Sequence, residues 1–152
     1  MTPAAIRWQR GEYEIDTDPS RLDLAQAHAY IAATYWAQGI PFETFCRSVA
    51  GALCLGVYHG EQLVGFARVI SDYATIAYLG DVFIAPEHRG QGLSKWLMDC
   101  ITGHPQLQGL RRWILLTGDA HGLYQQYGFT PLAAPERWME RADLNVYKKT
   151  PA

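Results

Sequence analysis

The most constraining feature of the sequence is a short apolar strand that leads through a loop containing glycines into an amphipathic helix. Its residues read Asp81-Val-Phe-Ile-Ala-Pro-Glu-His-Arg-Gly-Gln-Gly-Leu-Ser-Lys-Trp-Leu-Met. At such a junction several backbone N–H groups have no partner within the helix, and the helix dipole adds about half a positive charge. Gly90 and Gly92 let a ligand approach the backbone without meeting a Cβ. The segment predicts an anion site suited to a phosphate or pyrophosphate, although turns of this kind before helices are also common as purely structural features.

Length and composition restrict the class of protein. The chain has 152 residues, of which 49% are apolar and 18% charged, and its net charge is −2. This is enough apolar material to bury one core, and it predicts a single domain over residues 1–152. A chain that coats nucleic acid normally carries a clear basic excess, so we do not expect nucleic acid as a partner.

The location of the protein is predicted from three further features. No apolar run approaches the roughly 20 residues of a membrane span, so no membrane partner is expected. The first residues of the chain lack the apolar region of a signal peptide. Cys46, Cys54 and Cys100 are odd in number and widely spaced, which favours reduced thiols. Together these features favour a cytoplasmic protein.

The apolar pattern predicts a mixed sheet covered by helices. The tight connection at 59–61 implies an antiparallel hairpin, and the alternation of strand and helix in the second half implies a crossover. Gly65, inside a predicted strand, indicates a bulge. The predicted strands are 12–15, 52–58, 62–71, 75–84, 113–117 and one or two within 129–147. The predicted helices are 24–37 with Asp23 as N-cap, a short one after Pro41, 93–103, and 119–127 with Asp119 as N-cap.

Two motifs resemble those of one superfamily. The segment Arg89-Gly90-Gln91-Gly92-Leu93-Ser94 resembles the Gln/Arg-x-x-Gly-x-Gly/Ala signature of the GNAT-superfamily acyl-CoA N-acyltransferases. About 30 residues later, Ala120-His-Gly-Leu-Tyr-Gln-Gln-Tyr-Gly-Phe resembles the family's Ala-x-x-Leu-Tyr-x-x-x-Gly-Phe helix. Two departures stand out. Ser94 replaces the usual glycine or alanine, and Thr117-Gly118-Asp119 stands where members often carry a cofactor-contacting asparagine.

The resemblance implies a fold and an activity. The fold would be an α/β (α+β) GNAT fold, with a central mixed, mostly antiparallel sheet of about six to seven strands and about four helices on both faces. The activity would be that of an N-acetyltransferase, which moves the acetyl group of its cosubstrate acetyl-CoA to a primary amine of a small molecule by direct attack. The alternatives are acetylation of a protein or peptide amine, and a non-catalytic acyl-CoA-binding sensor. A homodimer is left open, since exposed C-terminal strands could pair.

The resemblance also assigns the cosubstrate-binding residues. The pantetheine arm would pair with the backbone of the strand before the loop, like an added β-strand. The pyrophosphate would lie on the N–H groups of the loop, with Arg89 supporting it and Lys95 adding charge at its rim. The residues so assigned are Val82, Phe83, Ile84, Arg89, Gly90, Gln91, Gly92, Leu93, Ser94 and Lys95.

The catalytic groups are less fully determined. Tyr124 matches the family tyrosine near the sulfur, which implies a general acid or a thiolate stabiliser. Diamine-acetylating relatives carry Leu-Glu-Asp on the strand, with the glutamate as base, but Leu79-Gly80-Asp81 stands here and Gly80 cannot act as one. Asp81 remains, either to hold a cationic substrate, to act through water, or as a salt-bridged strand-end carboxylate. Other candidate bases are Asp72, His121 and Glu12, and a water chain without a dedicated base is a further alternative.

The substrate pocket of such folds is built mainly from the first two helices and their connection. Tyr35 and Trp36 fall at the end of the first predicted helix. They would form an aromatic wall for an aromatic amine or a cation, or else belong to the ordinary core. The five histidines show no ligand spacing with one another or with the cysteines, so no metal is expected.

Overall fold

The computed structural model describes residues 3–148, in which six strands form one sheet in chain order. Pairing is antiparallel from the first strand to the fifth, and the sixth strand is parallel to the fifth. The expected mixed, mostly antiparallel sheet is therefore confirmed. The strands are β1 (Arg7–Arg10), β2 (Tyr13–Asp16), β3 (Leu53–His59), β4 (Gln62–Ser71), β5 (Ile76–Ile84) and β6 (Arg112–Leu115).

Four α-helices cover the two faces of the sheet, as expected. They are α1 (Leu24–Ala32), α2 (Phe42–Ala50), α3 (Leu93–Thr102) and α4 (His121–Gln125). One apolar cluster joins α1 and α2 to the sheet, with Phe45 packed against Phe66. A second cluster joins α3 and α4 to the other face, through residues such as Leu97 and Leu55. Within residues 3–148 none of the helices has the length and apolar character needed to cross a membrane.

The N-terminal region differs from the prediction in two places. The single strand expected at 12–15 is the second arm of a hairpin, whose first arm β1 was missed. Helix α1 stops at Ala32, five residues earlier than predicted, although Asp23 caps it as expected. The hydroxyl of Thr34 donates a 2.6 Å hydrogen bond to the carbonyl of Ile31. That carbonyl would otherwise accept the N–H of residue 35, so the threonine favours the end of the helix.

The C-terminal region has less regular structure than predicted. The strand or strands expected within 129–147 are absent from the described residues, where only short 3₁₀ turns follow α4. Pro131 and Pro135 lack the N–H groups that a ladder beside β6 would need. Pairing of C-terminal strands in a dimer therefore has no basis in this part of the structure. The N-cap of α4 is Ala120, so the prediction of Asp119 as the cap was wrong.

Irregular pairing of β5 shapes the region around the loop. Pairing with β6 ends at Leu79 and Leu115, and β5 continues alone on that side to Ile84. On its other side the register with β4 shifts where Asp81 adopts a positive φ of 55°. A bulge of this kind turns a side chain that would otherwise point to the opposite face. The bulge predicted near Gly65 is also confirmed, by a register shift between β3 and β4 beside it.

Candidate functional site

The loop between β5 and α3, together with the first turn of α3, presents six consecutive backbone N–H groups, those of residues 90–95, that no acceptor within residues 3–148 engages. The first bonded N–H of the helix is that of Trp96, which donates to Gly92 O at 3.0 Å. Gly90 and Gly92 have φ values of 80° and 79°, in the left-handed region that favours glycine. A Cβ added at either residue would meet nothing within 4 Å, so there is open space beside the backbone. These features fit an anion such as a pyrophosphate.

Side chains on both sides hold this loop in place. Nε of Arg89 donates a 2.8 Å hydrogen bond to the carbonyl of Ile84, and its guanidinium lies 5.4 Å from the ring centroid of Phe83. On the other side, the Tyr13 hydroxyl lies 2.8 Å from Nδ1 of His88. Arg89 thus ties the loop to the end of β5. The Tyr13 contact, by contrast, joins residues 75 positions apart and has no signal in the sequence.

Two clefts meet at β5 beside the loop. The loop cleft, of about 630 Å³, lies between α1, residues 82–84 of β5 and the start of α3, and Arg89 and Ser94 line it. The strand cleft, of about 540 Å³, lies over β4 and β5, and Leu144 and Tyr147 of the C-terminal segment also line it. Residues common to both clefts mark the place where their contents would meet. These residues are Tyr35, Trp36, Val82, Asp119, Ala120 and Tyr124.

A third cleft, of about 800 Å³, lies elsewhere. It is lined by β6 and the segment that follows α4, including Arg112, Phe129 and Trp138. None of the loop residues lines it, and neither does Tyr124. Because it lacks both the unpaired N–H groups and the shared residues of the other two clefts, we do not assign the site to it.

Tyr124 is nearly buried at the junction of the two clefts. Its hydroxyl has no hydrogen-bond partner among the described residues, so it is available to a ligand. Burial raises the pKa of Tyr124 to about 12, and the nearby Asp119 carboxylate adds to the rise. The phenol therefore stays protonated at neutral pH and acts as a donor.

Tyr35 and Trp36 lie in the segment between α1 and α2 rather than at the end of α1. Their residues are 62% and 44% exposed, so the alternative of ordinary core packing is wrong. The two rings contact edge to face, with centroids 5.0 Å apart. The Tyr35 hydroxyl accepts a 2.8 Å hydrogen bond from the N–H of Gly118, which fixes the pair against the segment between β6 and α4. The two rings form an aromatic wall along both clefts.

Asp81 lies in the strand cleft with both carboxylate oxygens engaged. Oδ1 accepts a 2.8 Å hydrogen bond from Nε1 of Trp36, and Oδ2 lies 2.8 Å from Nε of Arg68. The side chains of Asp81 and Arg68 are only 9% and 17% exposed, so this ion pair is largely shielded from water. Asp81 is therefore a salt-bridged carboxylate, which was one of the alternatives considered for it, and it also lines the strand cleft.

The other candidate bases lie outside both clefts. Asp72 accepts hydrogen bonds from N–H groups of its own turn between β4 and β5. Oε2 of Glu12 lies 3.2 Å from Nε2 of His59. His121 is exposed at the start of α4 and lines neither cleft. Asp119, which the sequence indicated only as a cap, lines both clefts. Its carboxylate makes no hydrogen bond within the described range.

A metal centre is not formed by these side chains. Across residues 3–148, no group of three or more histidine, cysteine or acidic side chains is arranged to hold an ion. The ligand that this geometry can accommodate is an anionic group on the loop, continued by an extended chain along the free side of β5.

Comparisons with known proteins agree with this geometry. The sequence model of the family described as "Acetyltransferase (GNAT) domain" matches residues 50–131, which include both motifs. A proposed acetyltransferase of Gibberella zeae is 31% identical, over 77% of this chain and 78% of its own. The crystal structure of a proposed GNAT-family acetyltransferase from Xanthomonas campestris pv. campestris has a TM-score of 0.88 and 51% identity, and covers 90% of this chain and 97% of that one. The crystal structure of a proposed acetyltransferase from Clostridium acetobutylicum, determined with acetyl-CoA, has the same fold, with a TM-score of 0.63, 14% identity, and coverage of 86% of this chain and 94% of that one.

Proposed function

The chain belongs to the GNAT family of acetyltransferases, and from this we propose that it moves the acetyl group of acetyl-CoA to a primary amine of a small molecule. The observation that carries the proposal is the position of Tyr124. It lies where the loop cleft, beside the unpaired N–H groups of residues 90–95, meets the strand cleft. A proton donor at this junction is within reach of a leaving thiolate on one side and an incoming amine on the other.

Three observations support acetyl-CoA as the ligand of the loop cleft. The N–H groups of residues 90–95 and the dipole of α3 suit a pyrophosphate, and Lys95 adds a positive charge at the same end. Beyond Leu79, the side of β5 that faces β6 has no partner strand among the described residues, so residues 82–84 can pair with the amides of the pantetheine arm. The Clostridium acetobutylicum structure that was determined with acetyl-CoA has the same fold.

The reaction requires one bond to form and one to break. The neutral amine attacks the thioester carbonyl, the new C–N bond forms, and the C–S bond breaks to release the thiolate of coenzyme A. Free backbone N–H groups on β5 polarise the carbonyl oxygen. A thiol has a reference pKa of about 8.5, well below the value of about 12 for Tyr124. The phenol therefore stabilises the thiolate chiefly as a hydrogen-bond donor, and it does not need to give up its proton completely.

The attacking nitrogen must lose a proton, and we assign its acceptance to the carboxylate of Asp119. It borders both clefts beside Tyr124, and no described group engages its oxygens. Asp81, the other carboxylate of the strand cleft, is held by Arg68 and Trp36 and so shapes the acceptor side of the cleft. The wall formed by Tyr35 and Trp36 gives the strand cleft the character of a pocket for a small molecule rather than an open peptide groove.

Titration calorimetry with acetyl-CoA, followed by a thiol-release assay on a panel of free amines, tests the proposal. We expect micromolar binding and release of coenzyme A with at least one class of small amine. Binding without release for any small amine, but with release for peptides, would assign the acceptor to proteins. Binding without release for either class would indicate a sensor, and absence of binding would overturn the proposal.

A further inference from the structure

Arg68 has hydrogen-bonding capacity that its own ion pair does not use. Its Nε bonds to Asp81, but neither Nη atom has an acceptor within residues 3–148. Among the described residues, the buried side-chain atoms without a hydrogen-bond partner are Tyr58 Oη and His104 Nε2. The Nη atoms of Arg68 are not in this group, so they are accessible to solvent. Arg68 lines the strand cleft. A guanidinium with free Nη groups in a partly buried cleft is suited to bind an anion through two parallel hydrogen bonds.

The residue opposite Arg68 on β5 is a glycine, which has no side chain to cover the guanidinium. Arg68 pairs with Gly80 across the β4–β5 ladder. A Cβ at position 80 would lie 3.9 Å from Nη2 of Arg68 and 3.2 Å from the ring of Tyr78. A larger side chain at this position would therefore fill the space next to the guanidinium. The strand cleft thus contains a partly buried cation, flanked by aromatic rings and next to a residue that has no side chain.

A positive and a negative side chain, Arg68 and Asp119, line the strand cleft on the two sides of β5. Arg68 belongs to β4, whereas Asp119 follows β6, and the sheet order places β5 between them. Two strand spacings separate the backbones of β4 and β6 by roughly 10 Å. An acceptor with its amine beside Asp119 and Tyr124 would therefore extend toward Arg68. A negative group at that far end would meet the free Nη atoms.

We propose that the acceptor is an amine that also carries an anionic group, a carboxylate or a phosphate, which binds the two Nη atoms of Arg68. This inference rests on the proposed acetyltransferase function and narrows its substrate class. Asp81 acts as a positioning residue, because it fixes the guanidinium through Nε and leaves the Nη edge to the substrate. The aromatic rings of Trp36 and Tyr78 would contact the body of the acceptor.

Matched pairs of amines that differ only in the anionic group test the inference. We would first confirm acetyl-CoA binding by calorimetry, and then measure kcat/KM by thiol release. The pairs are L-amino acids against their amides, and ethanolamine phosphate against ethanolamine. We expect the anionic member of the better pair to be preferred by about 10- to 100-fold, the range for a charge-assisted pair of hydrogen bonds. The pair that is preferred distinguishes a carboxylate from a phosphate.

Variants then show whether Arg68 causes the preference. Arg68→Gln should remove the preference for the anionic amine, because kcat/KM should fall for that amine and not for its neutral counterpart. The affinity for acetyl-CoA should be unchanged. Since this change leaves Asp81 without its ion pair, the double variant Arg68→Gln/Asp81→Asn repeats the test without an unpaired carboxylate. Arg111→Gln, an exposed arginine before β6 that lines neither cleft, is the matched control and should retain the preference.

Several results would overturn the inference. These are a higher kcat/KM for neutral or purely cationic amines, a preference that survives in Arg68→Gln, and acetyl-CoA binding without acetylation of any anionic amine in the panel. Failure of the wild-type protein to bind acetyl-CoA would instead contradict the proposed function itself. The two failures are therefore distinguishable.

Discussion

Nε1 of Trp36 lies 2.8 Å from Oδ1 of Asp81, although the two residues are 45 positions apart in the sequence. The contact ties the segment after α1 to the bulge in β5. Because Oδ2 of the same carboxylate holds Arg68, residues from three parts of the chain form one unit on the acceptor side of the cleft. Removal of the central carboxylate should therefore affect both the stability of the fold and the binding of the acceptor.

Asp81→Ala should lower the free energy of unfolding by about 2 kcal/mol, because it leaves a shielded guanidinium and an indole N–H without their partner. The KM for the acceptor should rise, since neither Arg68 nor Trp36 is then held in place. Urea denaturation and steady-state kinetics measure the two effects. Glu61→Ala, in the exposed β3–β4 turn, is the control and should change stability by no more than about 0.5 kcal/mol. Wild-type stability and KM in Asp81→Ala would contradict this view of the unit.

Tyr124→Phe should lower kcat about 100-fold and leave the affinity for acetyl-CoA nearly unchanged, because it removes only the proposed donor to the thiolate. Since the pKa of Tyr124 is raised to about 12, its ionisation should cause no loss of wild-type rate between pH 7 and pH 10. Tyr58→Phe is a matched control. It alters another buried tyrosine whose pKa is raised to about 12, but one in the α1–α2 cluster and outside both clefts. Equal loss of rate in both variants would count against a specific role for Tyr124.

Asp119→Asn should lower kcat/KM at neutral pH and make it strongly dependent on pH. Without the carboxylate the attacking nitrogen must give its proton to water or hydroxide, and the hydroxide concentration grows tenfold per pH unit. The difference from wild type should therefore shrink as the pH rises toward 10. A pH profile of kcat/KM by thiol release measures it. A constant ratio of variant to wild type across this range would show that Asp119 does not take the proton.

His104 should make the stability of the fold sensitive to mild acid. Burial lowers the pKa of His104 below its ordinary value of 6.5, and its Nδ1 accepts the N–H of Gln106 at 3.1 Å. As the pH falls below 6.5 the unfolded chain takes up a proton that the folded chain excludes. The free energy of unfolding therefore falls, at most by about 1.4 kcal/mol per pH unit from this residue.

Urea unfolding at pH 7 and at pH 5.5 measures the effect of His104. His104→Asn keeps an acceptor for Gln106 but does not titrate, so its loss of stability between the two pH values should be smaller than that of the wild type. His121→Asn changes an exposed histidine and should behave as the wild type does. An unaltered pH slope in His104→Asn would refute the assignment.

The regular parts of the fold and the loop were predictable because their signals are local. Apolar runs bounded by turn residues indicated β3, β4 and β5, and apolar residues at helical spacing indicated α3. The glycines after β5 indicated the anion loop. The end of α1 was missed because it depends on one hydroxyl, that of Thr34, bonding back to a carbonyl. The hairpin arm β1 was missed because its four residues are mostly exposed and carry no apolar alternation.

The roles of the residues that line the strand cleft were harder to predict from the sequence, because they depend on contacts between residues far apart in the chain. Arg68 is one of several charged residues in the sequence, and only the fold shows that its Nη atoms face a cleft. Asp119 stands before a helix, where acidic residues usually act as caps, so local rules indicated the wrong role. The positive φ of Asp81, which directs its carboxylate toward Trp36 and Arg68, is unusual for a residue other than glycine.

Calorimetric titration of acetyl-CoA into the wild type, Gly92→Glu and Gly109→Glu tests most directly whether the loop between β5 and α3 binds acetyl-CoA. Gly92 and Gly109 have nearly the same positive φ, 79° and 73°, and a Cβ at either meets nothing within 4 Å. The two variants therefore carry similar backbone strain and the same added charge, but only position 92 adjoins the proposed pyrophosphate site. We predict that Gly92→Glu weakens binding at least about tenfold and that Gly109→Glu binds as the wild type does. Equal affinity in all three proteins would contradict the assignment of the loop, and absence of binding to the wild type would contradict the proposed acetyl transfer.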